Sequence, residues 1–210
     1  MSLYNCPVSE ESEYNFAIDM ITYWLSNDTT DKKQFLNYVL SVIKTDLITF
    51  YQAQQFYKED CCHISHIMPI ITYSEDGKEL DLLSKNHDKI VDLSSDDVLT
   101  TPWKMTRLVS HINRLRDKPF IEHTSNHQAI YYPIIDLCRI TNGYHSTAVG
   151  KYYKKGTLTA YTYDMKKALK FITTDGAYWY HKYNCNIKQK LFDYRIGILY
   201  YIASQLNTTE

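Results

Sequence analysis

The densest group of side chains that could take part in chemistry lies between Thr141 and Gly150, in the sequence TNGYHSTAVG. A glycine follows an apolar run and hydroxyl residues precede the next apolar periodicity, which predicts a strand, a turn and a helix. Amide groups at the start of a helix bind phosphate or carboxylate groups. An ordinary Asn-Gly turn is the alternative. We predict an anion-binding turn whose binding residues are Asn142, Gly143, Tyr144, Ser146 and Thr147.

Two histidines and a glutamate are the candidates for catalysis. His145 lies within the turn, and Glu122 and His127 lie in the polar segment EHTSNH that precedes a predicted strand. If this segment approaches the turn, His127 or His123 could pair with His145 or Glu122 in the acid–base or metal chemistry of a hydrolase. Asn126 is expected to contribute to binding. The alternative is a polar surface connection whose side chains satisfy only nearby backbone groups.

Basic residues follow Pro102 and could extend the anion site. They lie on a predicted amphipathic helix, and Arg107 is the one assigned to phosphate binding. The alternative is the solvated face of that helix, because Asp117 interrupts the positive charge. The basic residues are Lys104, Arg107, Arg114, Arg116 and Lys118, with Trp103 and His111 among them.

A cluster of cysteine and histidine lies between Asp60 and His66, in the sequence DCCHISH. Cys62 and His66 would share a helix face, as zinc ligands can. A structural zinc site usually takes four ligands from two separated pairs, and no second pair follows. The alternative is a helix end with two small buried cysteines. We therefore predict no metal ligands, and any cofactor remains unknown, with a nucleotide or a divalent metal as the candidates.

The elements that must position these residues begin with helices. Apolar residues recur at helical spacing from Tyr14 to Trp24 and from Phe35 to Tyr51, and Thr30 or Asp31 is the expected N-cap of the second helix. Polar, turn-like sequence between residues 74 and 88 marks the expected end of this helical part. Residues 1–85 are therefore predicted to form a helical extension.

Residues 86–165 alternate predicted strands and helices. A helix follows Pro102, a strand from Ile130 to Ile140 is broken or edged by Pro133, and Asp164 is expected to cap another helix. Two further strands are predicted over residues 89–93 and 157–163.

The tail, residues 166–210, predicts a hairpin around Asp175-Gly176 and a final helix from about Gln189 to Leu206. The class is therefore α+β, a small mixed-sheet core with an N-terminal helical extension and a C-terminal hairpin and helix.

Composition limits the classes of function. The chain has 23 Lys+Arg and 24 Asp+Glu, a net charge of −1, so any contact with nucleic acid must be local. Five scattered cysteines argue against a disulfide scaffold and predict a cytoplasmic protein. The apolar runs are too short to cross a bilayer, so we expect no membrane contact.

The region from about residue 89 to residue 165 resembles the ParB and sulfiredoxin-like superfamily. Ile90-Val91-Asp92-Leu93, Asp97-Val98 and Pro102-Trp103 with Arg107 are similar to its first box. The second box is a strand that leads to a Gly-x-His-Arg turn and a helix, which Gly143, His145 and Ala148 resemble. Ser146 stands in place of the arginine, and Arg107 or Arg139 is the expected substitute. The chain is also similar to uncharacterised proteins of low-GC bacteria and their mobile elements.

The resemblance implies a nucleotide or phosphate pocket between the loop after the first strand and the start of the second-box helix. A ParB-like protein that binds nucleotide or nucleic-acid phosphate is therefore expected, and a nuclease or NTP hydrolase is the enzymatic form of this hypothesis. The alternative is a non-catalytic phage or mobile-element protein that inhibits a host defence or replication complex. Such a protein would use the tyrosine-rich tail and the helical extension, and its anchors would be the tail aromatics Tyr178, Trp179, Tyr180, Tyr183, Tyr194, Tyr200 and Tyr201.

Overall fold

The computed structural model describes residues 10–57 and 66–208 of the chain. The helices in these ranges are α1 (Glu10–Leu25), α2 (Lys32–Ala53, followed by a 3-10 turn Gln54–Phe56), α3 (Met105–Asp117), α4 (Tyr144–Tyr152), α5 (Met165–Phe171) and α6 (Tyr194–Thr208). The strands are β1 (Ile71–Tyr73), β2 (Glu79–Asp81), β3 (Leu83–Asp92), β4 (Val98–Leu99), β5 (Gln128–Tyr132), β6 (Leu137–Asn142), β7 (Thr157–Tyr163), β8 (Ile172–Thr174), β9 (Tyr178–His181) and β10 (Asn184–Lys190). The α+β class is confirmed.

A mixed five-stranded sheet with the order β3-β7-β5-β6-β4 forms the centre of the described structure. β3 pairs antiparallel with β7 and β5 with β6, whereas β5 runs parallel to β7 and β4 parallel to β6. Two smaller sheets accompany it, the pair β1-β2 and the three strands β10-β9-β8.

Each face of the central sheet covers a separate hydrophobic core. Along β5, Ile130 and Tyr132 pack into one core with residues of α1, α2 and α6, because alternate side chains of a strand point to opposite faces. Ala129 packs into the other core, with Leu108 of α3 and Val149 of α4. The predicted anion-binding turn therefore begins a helix on the second face.

Local signals position several of these elements. Asp31 Oδ1 accepts a hydrogen bond from Gln34 N at the start of α2, and Asp164 Oδ1 accepts one from Lys167 N at the start of α5. Gly176, with φ +89°, lies between β8 and β9. Both predicted caps and the predicted hairpin are confirmed.

Two predicted elements differ in extent from the structure. The predicted strand from Ile130 to Ile140 is an antiparallel hairpin of β5 and β6, turning at residues 133–136. Ile134 and Asp136 adopt positive φ values of 70° and 49° there. A β-branched residue such as Ile134 rarely adopts positive φ, so its type does not indicate this conformation. The final helix begins at Tyr194 rather than near residue 189, because β10 occupies the preceding segment.

The helical extension is attached directly to the sheet. Lys44 of α2, which is buried, forms an ion pair with Asp97 Oδ2 at 2.7 Å and donates a hydrogen bond to the carbonyl oxygen of Asp136 at 3.1 Å. The boundary expected at residue 85 falls inside β3. None of the helices that the structure describes combines the length and apolar character that a membrane crossing requires.

Candidate functional site

The predicted turn forms through a glycine in the left-handed region. Gly143 precedes α4 with φ 82° and ψ 27°, a conformation that L-residues rarely adopt. A Cβ atom at this position would lie 2.5 Å from His127 Cδ2 and 3.0 Å from the carbonyl oxygen of Asn126. The segment with residues 122–127 therefore packs against the turn, as the catalytic hypothesis required.

A one-way chain of hydrogen bonds joins this segment to the turn. His123 N donates to His127 Nδ1 at 2.8 Å, so the ring proton of a neutral His127 lies on Nε2, which is 2.8 Å from Ser146 Oγ. Ser146 Oγ in turn donates to the carbonyl oxygen of Gly143 at 3.1 Å. His127 is thus a donor to Ser146, the opposite of the direction that activates a serine nucleophile.

His145 accepts hydrogen bonds at the start of the neighbouring helix. Its Nε2 atom lies 2.9 Å from Lys104 N and 3.3 Å from Trp103 N, so it accepts from both backbone groups immediately before α3. The Lys104 N–H is among the donors that the α-helix itself leaves unsatisfied, because Lys104 is the N-cap of α3. His145 therefore connects the starts of α3 and α4. It accepts from these backbone groups, whereas His127 bonds to Ser146.

Burial and positive charge keep both imidazoles neutral. Desolvation and the charge of Arg107 lower the pKa of His145 to about 4. Desolvation and the nearby His123 lower the pKa of His127, and the charge of Arg114 lowers it further. Their neutral forms are the ones that the hydrogen-bond directions require.

Three basic residues of α3 line the face toward the turn. Arg107, His111 and Arg114 occupy positions i, i+4 and i+7, which share one helix face. Arg107 and His111 both act electrostatically on His145, and Arg114 and His111 act on His127. Within the described ranges, no carboxylate forms an ion pair with Arg107 or Arg114. We call these three residues the basic stripe.

Most side chains predicted to bind phosphate point into the protein. Tyr144, Ser146 and Thr147 are buried, and the Thr147 hydroxyl has no hydrogen-bond partner among the described residues. Asn142 is exposed and its Oδ1 accepts from Gly143 N at 2.9 Å. Asn126 is also exposed, and its backbone N donates to His123 O. The polar surface beside the turn therefore comes from the two asparagines and the basic stripe.

Glu122 lies in the segment beside the turn but serves a different strand. Its Oε1 accepts hydrogen bonds from Thr159 N at 2.7 Å and from Thr159 Oγ1 at 2.8 Å, which attach the segment to β7. Its carboxylate acts on His127 only as a nearby negative charge that favours the protonated imidazole. The geometry indicates an anchoring contact at this carboxylate.

Two buried residues, Thr100 and Arg139, support the loop before α3, a role that sequence reasoning did not assign to them. Arg139 of β6 is completely buried, donates to the carbonyl oxygen of Leu99 at 3.3 Å and to Thr101 Oγ1 at 3.1 Å, and lies with its guanidinium 5.4 Å from the centre of the Tyr144 ring. Burial lowers its pKa to about 10. Thr100 Oγ1 donates to the carbonyl oxygen of Tyr144 at 2.9 Å. An arginine within an otherwise apolar strand was the available signal.

Trp103 is an aromatic residue that contacts the basic stripe. Its ring lies 5.5 Å from the His145 ring, edge to face, and the Arg107 guanidinium lies 5.3 Å from its centre. Its side chain remains 39% exposed. A polar and aromatic surface therefore surrounds the point where α3 and α4 begin.

The structure gives no metal centre within the ranges it describes: no group of three or more His, Cys, Asp or Glu residues there could hold a metal ion. Most of the candidate zinc cluster, residues 60–65, lies outside those ranges, and His66 is its described member. Cys138 is buried and burial raises the pKa of its thiol, so it is unreactive at neutral pH.

The tail aromatics are mostly packed. Trp179 and Tyr200 are buried in the larger core with their rings 5.0 Å apart, and among the proposed anchors only Tyr183 is largely exposed. Their main contribution is therefore to the core.

The chain belongs to a family of unknown function, DUF6710, whose profile matches residues 4–210. Neither the curated proteins nor the solved structures gave a match to the chain. The family description assigns no activity, so the geometry of the site is the main basis for a function.

Proposed function

We propose that this member of the DUF6710 family binds the phosphate groups of a nucleotide or nucleic acid at the surface between the Asn142–Gly143 turn and the basic stripe. The observation that carries the proposal is the basic stripe itself, since Arg107 and Arg114 face the turn with no ion-pair partner within the described ranges. Cations without a carboxylate partner bind phosphate without first breaking an ion pair.

The start of α4 adds to this positive surface. The helix dipole places partial positive charge at the turn, next to the exposed Asn142 side chain. His145 and His127 remain neutral there and hold the two helix starts and the 122–127 segment together. Their hydrogen bonds support a binding role more strongly than the nuclease or NTP hydrolase role, because both imidazoles already use their acceptor nitrogens.

The proposal includes a divergent ParB-like relationship for residues 89–165. The resemblance implies a pocket between the loop after the first strand and the start of the second-box helix. In support, Thr100 and the backbone of Trp103 and Lys104 contact the first residues of α4. The superfamily arginine is absent at Ser146, and Arg107 of α3 lies beside the same turn.

Calorimetric titration with tripolyphosphate and with ATP at low salt tests this function. Replacing both Arg107 and Arg114 by glutamine should weaken binding at least about tenfold, because each lost charge-assisted contact contributes about 1 kcal/mol or more. Arg116→Gln is the matched control, since Arg116 lies on the same helix and already pairs with Asp117. Equal losses in the control and the double variant, or no binding by the wild-type protein, would contradict the proposal.

A second candidate function, the non-catalytic protein that blocks a host complex, gains support from α1. Phe16, Met20, Tyr23 and Trp24 are spaced as one helix face and are all exposed. Replacing Phe16 and Tyr23 by serine should then abolish capture of a protein partner, whereas the double glutamine variant of α3 should retain it. A partner lost only in the α3 variant would count against this candidate.

A further inference from the structure

The position of Trp103 suggests more than phosphate binding. Single exposed aromatic residues are common on protein surfaces, and exposure alone carries no function. Trp103 differs because its ring is fixed at the start of α3 and lies directly beside the basic stripe. An unpaired base stacks on such a ring while cations bind its phosphates.

The surroundings hold the Trp103 ring in place. Its backbone N–H donates to His145 Nε2 at 3.3 Å, and the two rings meet edge to face with their centres 5.5 Å apart. The preceding Pro102 is buried and fixes the local backbone. A fixed ring loses little conformational freedom when a ligand stacks on it.

Arg107 links the ring to the charged surface. Its guanidinium lies 5.3 Å from the centre of the Trp103 ring, a cation–π distance, and its charge acts on His145. An arginine at this position can contact a phosphate and a stacked base of the same nucleotide. Burial and the charges of Arg114 and Arg107 lower the pKa of His111, so the charged groups along this face of α3 are the two arginines.

We propose that Trp103 is a stacking platform for an unpaired base, and that the ligand of this site is a nucleotide unit with an exposed base rather than a bare polyphosphate or a duplex. This inference rests on the proposed phosphate-binding function. The unit could belong to a single strand or to a free nucleotide, and both present the same chemistry of a base next to phosphate.

The matched variants are Trp103→Leu and Trp24→Leu. Trp24 lies on α1 and is 40% exposed, nearly the same as the 39% of Trp103, but it contacts Tyr23 and no residue of the basic stripe. Trp103→Phe is the conservative variant that keeps an aromatic face. Urea midpoints of the three variants show whether each is folded.

Binding is measured by fluorescence anisotropy with labelled oligo-dT and oligo-rU of 15 nucleotides, a duplex of the same length, and by calorimetry with TTP, UTP and tripolyphosphate. We expect Trp103→Leu to weaken binding of single strands or mononucleotides about tenfold more than binding of tripolyphosphate, since stacking contributes roughly that factor per base. Trp103→Phe should recover most of the loss, and Trp24→Leu should bind as wild type does.

The outcomes separate the two proposals. A Trp103 effect with oligonucleotides alone identifies a strand as the ligand, and the same effect with mononucleotides identifies a free nucleotide. Equal losses for base-containing ligands and tripolyphosphate, or equal affinity for duplex and single strand, would overturn the stacking inference and leave the phosphate function standing. If neither tripolyphosphate nor any nucleotide binds, both proposals fail.

Discussion

Protonation of His145 should destabilise the folded protein below neutral pH, and the size of the effect follows from its environment. The pKa of His145 falls from 6.5 to about 4 in the folded state, chiefly through burial. The unfolded chain therefore binds more protons between these two pH values, so stability is fully present above pH 6.5 and is lost as the pH falls toward 4. Lowering the pH from 7 to 5 should reduce the free energy of unfolding by about 2 kcal/mol through this residue. The reduction reaches an upper limit of about 3 kcal/mol below pH 4.

The variants His145→Gln and His145→Ala separate the charge from the hydrogen bonds. Glutamine offers a neutral acceptor near the position of Nε2, so it should keep much of the stability at pH 7 and lose about 2 kcal/mol of the pH dependence. Alanine leaves the backbone N–H groups of Trp103 and Lys104 without their acceptor, which should cost about 2–3 kcal/mol at pH 7.

Urea unfolding at pH 7 and pH 5, followed by tryptophan fluorescence, measures these differences. His87→Gln is the control, because His87 lies on β3 with its ring against Tyr161. Burial also lowers the pKa of His127 and His181, so the wild-type protein and every variant lose some stability as the pH falls. The measured quantity is therefore the difference in this loss between the variants and the wild-type protein. The reasoning is refuted if His145→Gln and the wild-type protein lose the same stability between pH 7 and pH 5.

Two further substitutions test the packing of the turn. Gly143→Ala should lower the free energy of unfolding by more than the about 1–2 kcal/mol that a left-handed alanine costs, because its Cβ would meet His127 at 2.5 Å. Gly77→Ala, at φ 77° with no atom within 4 Å, isolates the backbone cost, and equal losses at the two glycines would contradict the predicted clash. Ser146→Ala should cost about 1–3 kcal/mol, because it leaves the buried His127 Nε2 without its acceptor. The exposed Ser110→Ala is its control, and an unchanged urea midpoint for Ser146→Ala would exclude the hydrogen-bond chain.

Features that depend on neighbouring residues could be predicted from the sequence. Asp31 and Asp164 cap helices through bonds to residues three positions later, and Gly176 provides the positive φ of its hairpin. The position of the candidate site was predictable for the same reason, since Gly143 supplies its own turn geometry. Each of these signals lies within a few residues of its effect.

Features that depend on distant residues could not be predicted. The turn between β5 and β6 places Ile134 and Asp136 at positive φ, which tertiary contacts compensate, since Tyr131 Oη and Lys44 Nζ both donate to Asp136. The strand propensity of the apolar residues on both sides concealed this turn. Pro133 indicates a break or an edge within this run, but the sequence does not show that the chain reverses direction there.

The roles of the candidate site residues depend equally on distant partners. His145 accepts from backbone groups 41 and 42 residues earlier, and Glu122 accepts from a strand 37 residues later. The residue types predicted a titratable and polar site, but the direction of each hydrogen bond decides whether an imidazole is a base or a structural acceptor. That direction is a property of the folded chain.

The two cores on the central sheet limit how the chain can be divided for experiments. A fragment that began at residue 86 would remove the first part of β3 and all of α1 and α2. The side chains of Ile130, Tyr132 and Tyr163 would lose much of their apolar cover and meet solvent, although the candidate site lies on the opposite face. Such a fragment should aggregate when expressed, so binding measurements require the undivided chain.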